Sequence, residues 1–227
     1  MDPTREDVEA LRRLDALTRR LRAECPWDRE QDERSIVPHT VGEAYELAAA
    51  AHADDDAKLL DELGDVLFQV HFLALLLEER GAGSLAAVAE HAHAKLVRRH
   101  PHIFGDVEVD GAGEVLRNWD QIKKTEEGRV PGLFGDVPEN LPGPLYARKL
   151  LRRADSAEHE YRITGVREAA DRAAAATGAD RDERFAAIGD LMLAAVALAR
   201  ELRVDPELAL RAAADAFKER EQETENP

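Results

Sequence analysis

The sequence predicts an all-α protein, and three observations support that fold class. Alanine, leucine, glutamate and arginine dominate the chain, while runs of β-branched residues are scarce. Apolar residues recur at spacings of three and four, beginning with Val8, Leu11 and Leu14, as they do on one face of a helix. Glycine and proline separate these periodic segments. The predicted helices span residues 4–24, 38–53, 57–81, 84–99, 112–126, 143–159, 165–177, 181–203 and 205–222.

Turn-forming residues mark where several of these helices end and begin. Gly81 and Gly83 end the third helix, and Ser84 can cap the fourth. Near the end of the chain, Asp205 is an N-cap, and Pro206 stands at the first helical position. These residues are typical of short connections between neighbouring helices of a bundle.

A stretch rich in glycine and proline divides the chain into two predicted modules. It begins at Gly128 and reads GRVPGLFGDVPENLPGP, which is the composition of a linker. We therefore predict a first module over residues 1–127, a linker over 128–142 and a second module over 143–227.

The two modules are predicted to be tandem repeats. Residues 41–68 align without a gap on residues 166–193, with 10 identities in 28 positions. A run of four alanines inflates that number, but shared Glu-Ala and Gly-Asp pairs and the apolar pattern after them remain. We interpret the similarity as an internal repeat.

Charge and cysteine content exclude several classes of function. A formal net charge of −16 argues against a nucleic-acid-binding protein, which needs a basic surface. Cys25 is the only cysteine, so no intramolecular disulfide forms and we expect a cytoplasmic protein. The longest apolar run, from Val66 to Leu77, is interrupted by polar residues and too short to span a bilayer. A small phosphorylated substrate remains compatible with an acidic protein, because metal ions can neutralise it.

Four acidic residues form the most informative pattern. Glu43 and Glu46 are three apart on one predicted helix, and Glu62 and Asp65 are three apart on the next, so each pair projects from one helix face. A short turn at 53–56 would make these helices antiparallel neighbours. Four carboxylates brought together would repel one another unless they held cations, and oxygen ligands favour Mg²⁺ or Mn²⁺. The alternative is that they are solvated acids on exposed helix faces.

Five motifs occur in an order that resembles the MazG family of nucleoside triphosphate pyrophosphohydrolases. The resemblance runs from about residue 11 to residue 126, and residues 136–154 resemble the start of the second module in tandem MazG proteins. The motifs are CPWD at 25–28, GEAYE at 42–46, DELGDVLFQV at 61–70, KLVRRHPHIF at 95–104 and NWDQIKKTE at 118–126.

The resemblance implies a metal-dependent enzyme. Glu43, Glu46, Glu62 and Asp65 match the family's metal ligands, so Mg²⁺, or Mn²⁺ in its place, is the expected cofactor. The implied reaction is attack of water on the α-phosphorus of a nucleoside triphosphate, releasing a monophosphate and pyrophosphate, with Glu43 or Glu46 as the proton acceptor. One position departs from the pattern, because Gly42 replaces the first glutamate of the family's EExxE motif.

Basic residues are candidates for binding the triphosphate. Lys95, Arg98 and Arg99 lie at i, i+3 and i+4 on one predicted helix, and arginine offers paired donors to phosphate oxygens. The alternative is an ordinary interaction of these cations with the C-terminal end of their own helix. Lys123 is a further, weaker candidate.

Two tryptophans are candidates for contact with the base. Trp27 and Trp119 each offer an aromatic face on which a base can stack. The alternative for both residues is packing in or near the core.

The second module is predicted to be structural. Its counterparts of the four acids are Glu168, Asp171, Ala187 and Asp190, so one ligand is lost and another shortened. We expect it to pack against the first module or to form the surface of a homodimer or higher homo-oligomer. The apolar residues proposed for that surface are Leu191, Leu193, Val196, Leu198 and Phe217.

Two other classes of function compete with the enzyme. A di-iron carboxylate bundle needs two Glu-x-x-His motifs, and only Glu90 and His93 have that spacing here. A regulatory or nucleotide-binding protein with the MazG fold and little catalysis is the second alternative, and Gly42 favours it.

Overall fold

A computed structural model describes residues 4–126, 128, 130–135 and 137–225 of the chain. Within these residues the secondary structure is helical and contains no strand, which confirms the predicted all-α class. The chain divides into two compact units, Met1–Arg98 and Arg99–Pro227. None of the described helices combines the length and apolar character needed to cross a membrane.

The helices that begin in the first unit lie close to their predicted positions, and one additional short helix, α2, joins them. They are α1 (Arg5–Glu24), α2 (Pro26–Glu30), α3 (Glu33–His52), α4 (Asp56–Glu79) and α5 (Leu85–Arg99).

Helix α3 begins five residues earlier than predicted. Asp32 accepts a hydrogen bond from the Ser35 amide, and the Ser35 hydroxyl accepts one from the Asp32 amide, so a reciprocal cap starts the helix at Glu33. Pro38 therefore lies inside α3. The prediction had placed the helix start at Pro38 because proline favours the first turn.

Helices α3 and α4 form the centre of the first unit. They pack against each other as antiparallel neighbours across a short turn, as the sequence predicts. Ile36 from α3 and Phe72 and Leu76 from α4 are almost completely buried, and Phe68 packs against them. This apolar contact holds together the two helices that carry the four acids.

Two arginines of α1 bind the C-terminal end of α4. Arg19 donates to both carboxylate oxygens of Glu78 at 2.9 and 2.7 Å, and Arg22 donates to both of Glu79 at 2.9 and 2.8 Å. Arg22 also donates to the backbone carbonyls of Asp28 and Gln31. One side chain therefore connects α1, the α2 segment and α4.

The second unit contains the remaining helices and one 3₁₀ turn at Ala176–Gly178. The helices are α6 (Pro101–Phe104), α7 (Ala112–Lys124), α8 (Gly143–Ser156), α9 (Val166–Ala175), α10 (Arg181–Glu201) and α11 (Pro206–Glu225). The short α6 was not predicted.

Small apolar residues build the interior of the second unit, where α10 packs against α8, α9 and α11. Arg200 of α10 pairs with Asp155 of α8, and the Tyr161 hydroxyl donates to the same carboxylate at 2.5 Å. The buried apolar residues on these helices are Leu151, Ala154, Ala169, Ala194 and Val196.

The boundary between the units differs in position from the predicted linker. The units meet between Arg98 and Arg99, whereas the sequence places a linker at 128–142. Three residues here lie outside the described residues: Glu127, just before the predicted linker, and Arg129 and Asp136 within it. The division into repeated modules remains a prediction. The two aligned segments, 41–68 and 166–193, lie within α3–α4 and α9–α10.

Candidate functional site

Three of the four predicted acids meet between α3 and α4. One carboxylate oxygen each from Glu43, Glu62 and Asp65 lies within 4.8 Å of the others. Glu46, one turn after Glu43 on α3, is exposed and stands outside this group. Glu43, Glu62 and Asp65 form the carboxylate cluster.

Burial and mutual repulsion raise the pKa values of two of these acids. For Glu43, burial raises the pKa most, followed by the charges of Asp65, Glu46 and Glu62. For Glu62, burial again raises the pKa most, followed by the charge of Glu46. Glu46 therefore contributes to the field of the cluster without being one of the three convergent acids.

The donor set fits a hard divalent cation. Glu62 is only 5% exposed, and its Oε2 atom has no hydrogen-bond partner among the described residues. No described residue forms an ion pair with Glu43, Glu62 or Asp65. Buried carboxylates are normally paired or bind metals, and an all-oxygen set suits Mg²⁺ or Mn²⁺.

The predicted phosphate-binding residues of the first unit lie on α5. Lys95 is half-buried and Arg98 is exposed, and α5 contributes no fully buried residue. Neither cation is a hydrogen-bond or ion-pair partner of the carboxylate cluster. Their spacing places them on one side of α5, as the sequence predicts.

Arg99 and Trp119 belong to a compact group within the second unit. The Arg99 guanidinium donates to both oxygens of Glu126 at 2.9 and 2.6 Å, and both side chains are 11% exposed. It also lies over the Trp119 ring at 5.4 Å. The His100 ring stands edge-on to Trp119, with their centroids 4.9 Å apart.

The contacts in this group bear on the substrate-binding roles predicted for Arg99 and Trp119. Arg99 is held by a carboxylate, and one face of Trp119 is covered by that guanidinium. Sequence reasoning did not single out Glu126, although it ends the NWDQIKKTE motif. The half-buried Lys123 lies on α7 in the same unit.

Trp27 is the more accessible tryptophan. Its side chain is 51% exposed, and its ring meets His39 edge-on at a centroid distance of 5.9 Å. His39 lies one turn before Glu43 on α3 and lowers the pKa of that carboxyl group by less than burial and the neighbouring acids raise it. Trp27 therefore stands next to the helix face that carries the first acid of the cluster.

The fold and the cluster define a class: a helical protein in which three acids, one of them buried, converge between two antiparallel helices. Comparison with known proteins gives the family. A model of the MazG nucleotide pyrophosphohydrolase domain matches residues 31–104, which include all four predicted acids.

Two bacterial relatives match most of the chain. The nucleoside triphosphate pyrophosphohydrolase of Escherichia coli K12 is 35% identical over 211 residues, which cover 88% of this chain and 80% of that protein. The nucleoside triphosphate pyrophosphohydrolase/pyrophosphatase MazG of Thermotoga maritima is 36% identical over 200 residues, covering 86% and 77%. The chain belongs to the MazG family, which confirms the resemblance inferred from its motifs.

A solved structure also matches part of the chain. The crystal structure of a mazG-related protein from Thermotoga maritima covers 50% of this chain and 99% of its own, with a TM-score of 0.44 and 24% identity.

Proposed function

We propose that this protein hydrolyses nucleoside triphosphates to nucleoside monophosphates and pyrophosphate. The observation that carries the proposal is the convergence of Glu43, Glu62 and Asp65 within 4.8 Å at a partly buried place between two helices. Membership of a family whose relatives are named nucleoside triphosphate pyrophosphohydrolases supports the substrate class.

Glu43, Glu62 and Asp65 would hold the metal ion, and Glu46, the fourth predicted ligand, lies one helical turn from Glu43. Mg²⁺ or Mn²⁺ bound there would neutralise phosphate oxygens and make a water molecule more acidic. Burial and neighbouring acids raise the pKa values of Glu43 and Glu62, and a bound cation would relieve the same repulsion.

In the proposed reaction, water attacks the α-phosphorus in line with the bridging oxygen to the β-phosphorus. That bond breaks, and pyrophosphate leaves with its electron pair. Glu46 is better placed than Glu43 to accept the proton from water, because Glu46 is exposed and stands outside the three convergent acids.

The remaining predicted residues would bind the rest of the substrate. Lys95 and Arg98 would neutralise the β- and γ-phosphates. The exposed ring of Trp27, next to His39, supports it as the surface for the base. Arg99 is paired with Glu126 and covers one face of Trp119, so a base would stack on the other face of Trp119 and Arg99 would have to leave Glu126 to bind phosphate.

The product and the position of bond cleavage test this proposal. The protein is incubated with Mg²⁺ and a panel of triphosphates in H₂¹⁸O, and the products are identified by mass spectrometry. Monophosphate carrying ¹⁸O together with unlabelled pyrophosphate is expected. Nucleoside diphosphate with orthophosphate would reject the reaction, and label in pyrophosphate would reject attack on the α-phosphorus.

A second candidate function is nucleotide binding with little turnover. Gly42 favours it, because the family's pattern has a glutamate at this position. A Cβ placed at Gly42 would meet no atom within 4 Å, so the first atom of a side chain has room there. Tight binding of a triphosphate without product, and appearance of product in Gly42→Glu, would support this alternative.

The proposal includes a homo-oligomer. An apolar stripe along α4 is exposed, with Leu60 at 74%, Leu63 at 49%, Leu67 at 38% and Val70 at 39%, and a second copy of the chain is its proposed occupant. Of the surface predicted in the second module, Leu193, Leu198 and Phe217 are exposed, whereas Val196 is buried.

Light scattering coupled to gel filtration tests the assembly. We expect at least a dimer, and we expect Leu63→Lys with Leu67→Lys to shift it towards the monomer. A monomeric wild-type protein would contradict the proposal.

A further inference from the structure

A polar pair separates the apolar contact of α3 and α4 from the carboxylate cluster. The Thr40 hydroxyl lies 3.4 Å from both the Gln69 side-chain oxygen and the Ile36 carbonyl oxygen, and it donates its single proton to one of them at a time. Gln69 is 7% exposed. A buried amide therefore meets a half-buried hydroxyl across the contact of α3 and α4.

The pair occupies the layer next to the cluster. Thr40 precedes Glu43 by three residues on α3, and Gln69 follows Asp65 by four on α4, so each lies one helical turn from an acid. On the other side of the pair lie the buried Ile36 and Phe72. Along the two helices, an apolar layer is thus followed by the neutral polar pair and then by the carboxylate cluster.

The acidic layer works against the alignment of the two helices. Its carboxylates raise one another's pKa values, which means that they repel when ionised. The apolar layer favours burial, but burial is non-directional and tolerates sliding of one helix along the other. A buried amide differs, because losing its partner costs its full desolvation.

We propose that Thr40 and Gln69 are a positioning pair that fixes the register of α3 against α4, so that the cluster is set to bind a divalent cation. This inference rests on the proposed function. Mg²⁺ requires nearly ideal geometry at about 2.0–2.1 Å from its ligands, and sites of this kind tolerate displacements of only about 0.5 Å. A polar pair one turn away supplies that alignment.

The test measures the affinity for Mn²⁺ directly, from the electron paramagnetic resonance signal of the free ion, together with the melting temperature. The variants are Thr40→Val, which keeps the shape but loses the hydroxyl, Gln69→Leu, and the double variant. We expect each single variant to bind Mn²⁺ about 10-fold to 100-fold more weakly, as for groups that orient metal ligands. The double variant is expected to match the single ones, because one interaction is lost in all three.

Two control variants separate positioning from general packing. Thr40→Ser keeps the hydroxyl and is expected to retain wild-type affinity within about 2-fold. Thr18 is a buried threonine, 1% exposed, whose hydroxyl donates to Leu14 of its own helix at 2.9 Å. Thr18→Val should therefore leave Mn²⁺ binding unchanged. Both substitutions alter a threonine without breaking the link between α3 and α4.

The possible failures are distinguishable. Unchanged affinity in Thr40→Val and Gln69→Leu, or additive losses in the double variant, would overturn the positioning role while leaving the proposed function intact. Loss of affinity that follows melting temperature, and that also occurs in Thr18→Val, would likewise overturn it. A wild-type protein that neither binds Mn²⁺ nor hydrolyses a triphosphate would overturn the proposed function and this inference together.

Discussion

The acids on two helical pairs of this chain, α3–α4 and α9–α10, have different surroundings. Between α3 and α4, three carboxylates converge and form no ion pair with a described residue. On α9 and α10, the aligned positions hold Glu168, Asp171, Ala187 and Asp190. The three acids among them are exposed, and Asp190 lies 3.3 Å from the Arg172 guanidinium.

The difference between the two pairs lies mainly at the position of Glu62. Glu62 is 5% exposed and its counterpart is Ala187, whereas Asp65 and its counterpart Asp190 are both exposed. Where alanine replaces the central acid, the remaining ones turn to solvent or to a neighbouring cation at little energetic cost. Glu62 is buried and its Oε2 atom has no hydrogen-bond partner among the described residues, which costs stability unless a cation offsets the charge.

Removing the central acid should produce the largest effect. We expect Glu62→Gln to lower kcat/KM for triphosphate hydrolysis by more than about 100-fold, because a ligand should cost more than the groups that orient ligands. The matched control is Asp190→Asn in the second pair, which should change kcat/KM by less than about 2-fold. Steady-state kinetics at saturating Mg²⁺ measure both, and an active Glu62→Gln variant would refute the assignment of the site.

The next largest effect concerns the stability of the frame around the first pair. Arg22→Met should lower the free energy of unfolding by about 2 kcal/mol, because two backbone carbonyls and Glu79 lose their donor. Arg20→Met is the control: its pair with Glu24 is 73% and 63% exposed and should contribute no more than about 0.5 kcal/mol. Denaturant unfolding compares them, and equal losses would contradict the assigned role of Arg22.

A smaller effect is expected at Gly42, whose counterpart in the second pair is Arg167. Gly42 is helical and an added Cβ meets nothing within 4 Å, so Gly42→Ala should stabilise the protein by about 0.5–1 kcal/mol. Thermal unfolding measures the gain. A destabilised variant would mean that the space beside Gly42 is filled, as it would be in an oligomer.

The smallest effect is a change in how stability depends on pH without metal. Burial and neighbouring acids raise the folded-state pKa of Glu43 above its ordinary value of 4.5. Its contribution to stability is therefore present below that value and is lost as the pH rises through the folded pKa. Glu43→Gln should be more stable than wild type at pH 7 in EDTA, with the difference disappearing below pH 4.5. An equal or lower melting temperature at pH 7 would contradict the repulsion.

The sequence predicts most of the helices because their signals are local. The periodic apolar residues of α4 and the Asp-Pro pair before α11 lie within the elements they define. The start of α3 was missed because a reciprocal cap at Asp32 and Ser35 outweighs the preference of Pro38 for a first turn. The short helices α2 and α6 were missed because four or five residues carry no measurable periodicity.

The site is predictable only as far as spacing determines it. The convergence of Glu43 with Glu62 and Asp65 follows from two i,i+3 pairs and a short turn. The pairing of Arg99 with Glu126, 27 residues later, depends on how the segment between them folds. The contact of Thr40 with Gln69 depends on the register of two helices, which no spacing within one helix specifies.

The most direct test of the central claim is the number of Mn²⁺ ions bound by the wild-type protein and by two matched double variants. Glu43→Gln with Glu62→Gln removes acids from the first pair, and Glu168→Gln with Asp190→Asn removes their counterparts. We predict that the first variant loses Mn²⁺ binding and that the second binds as the wild type does. Undiminished binding in the first variant, or its loss in the second, would contradict the account.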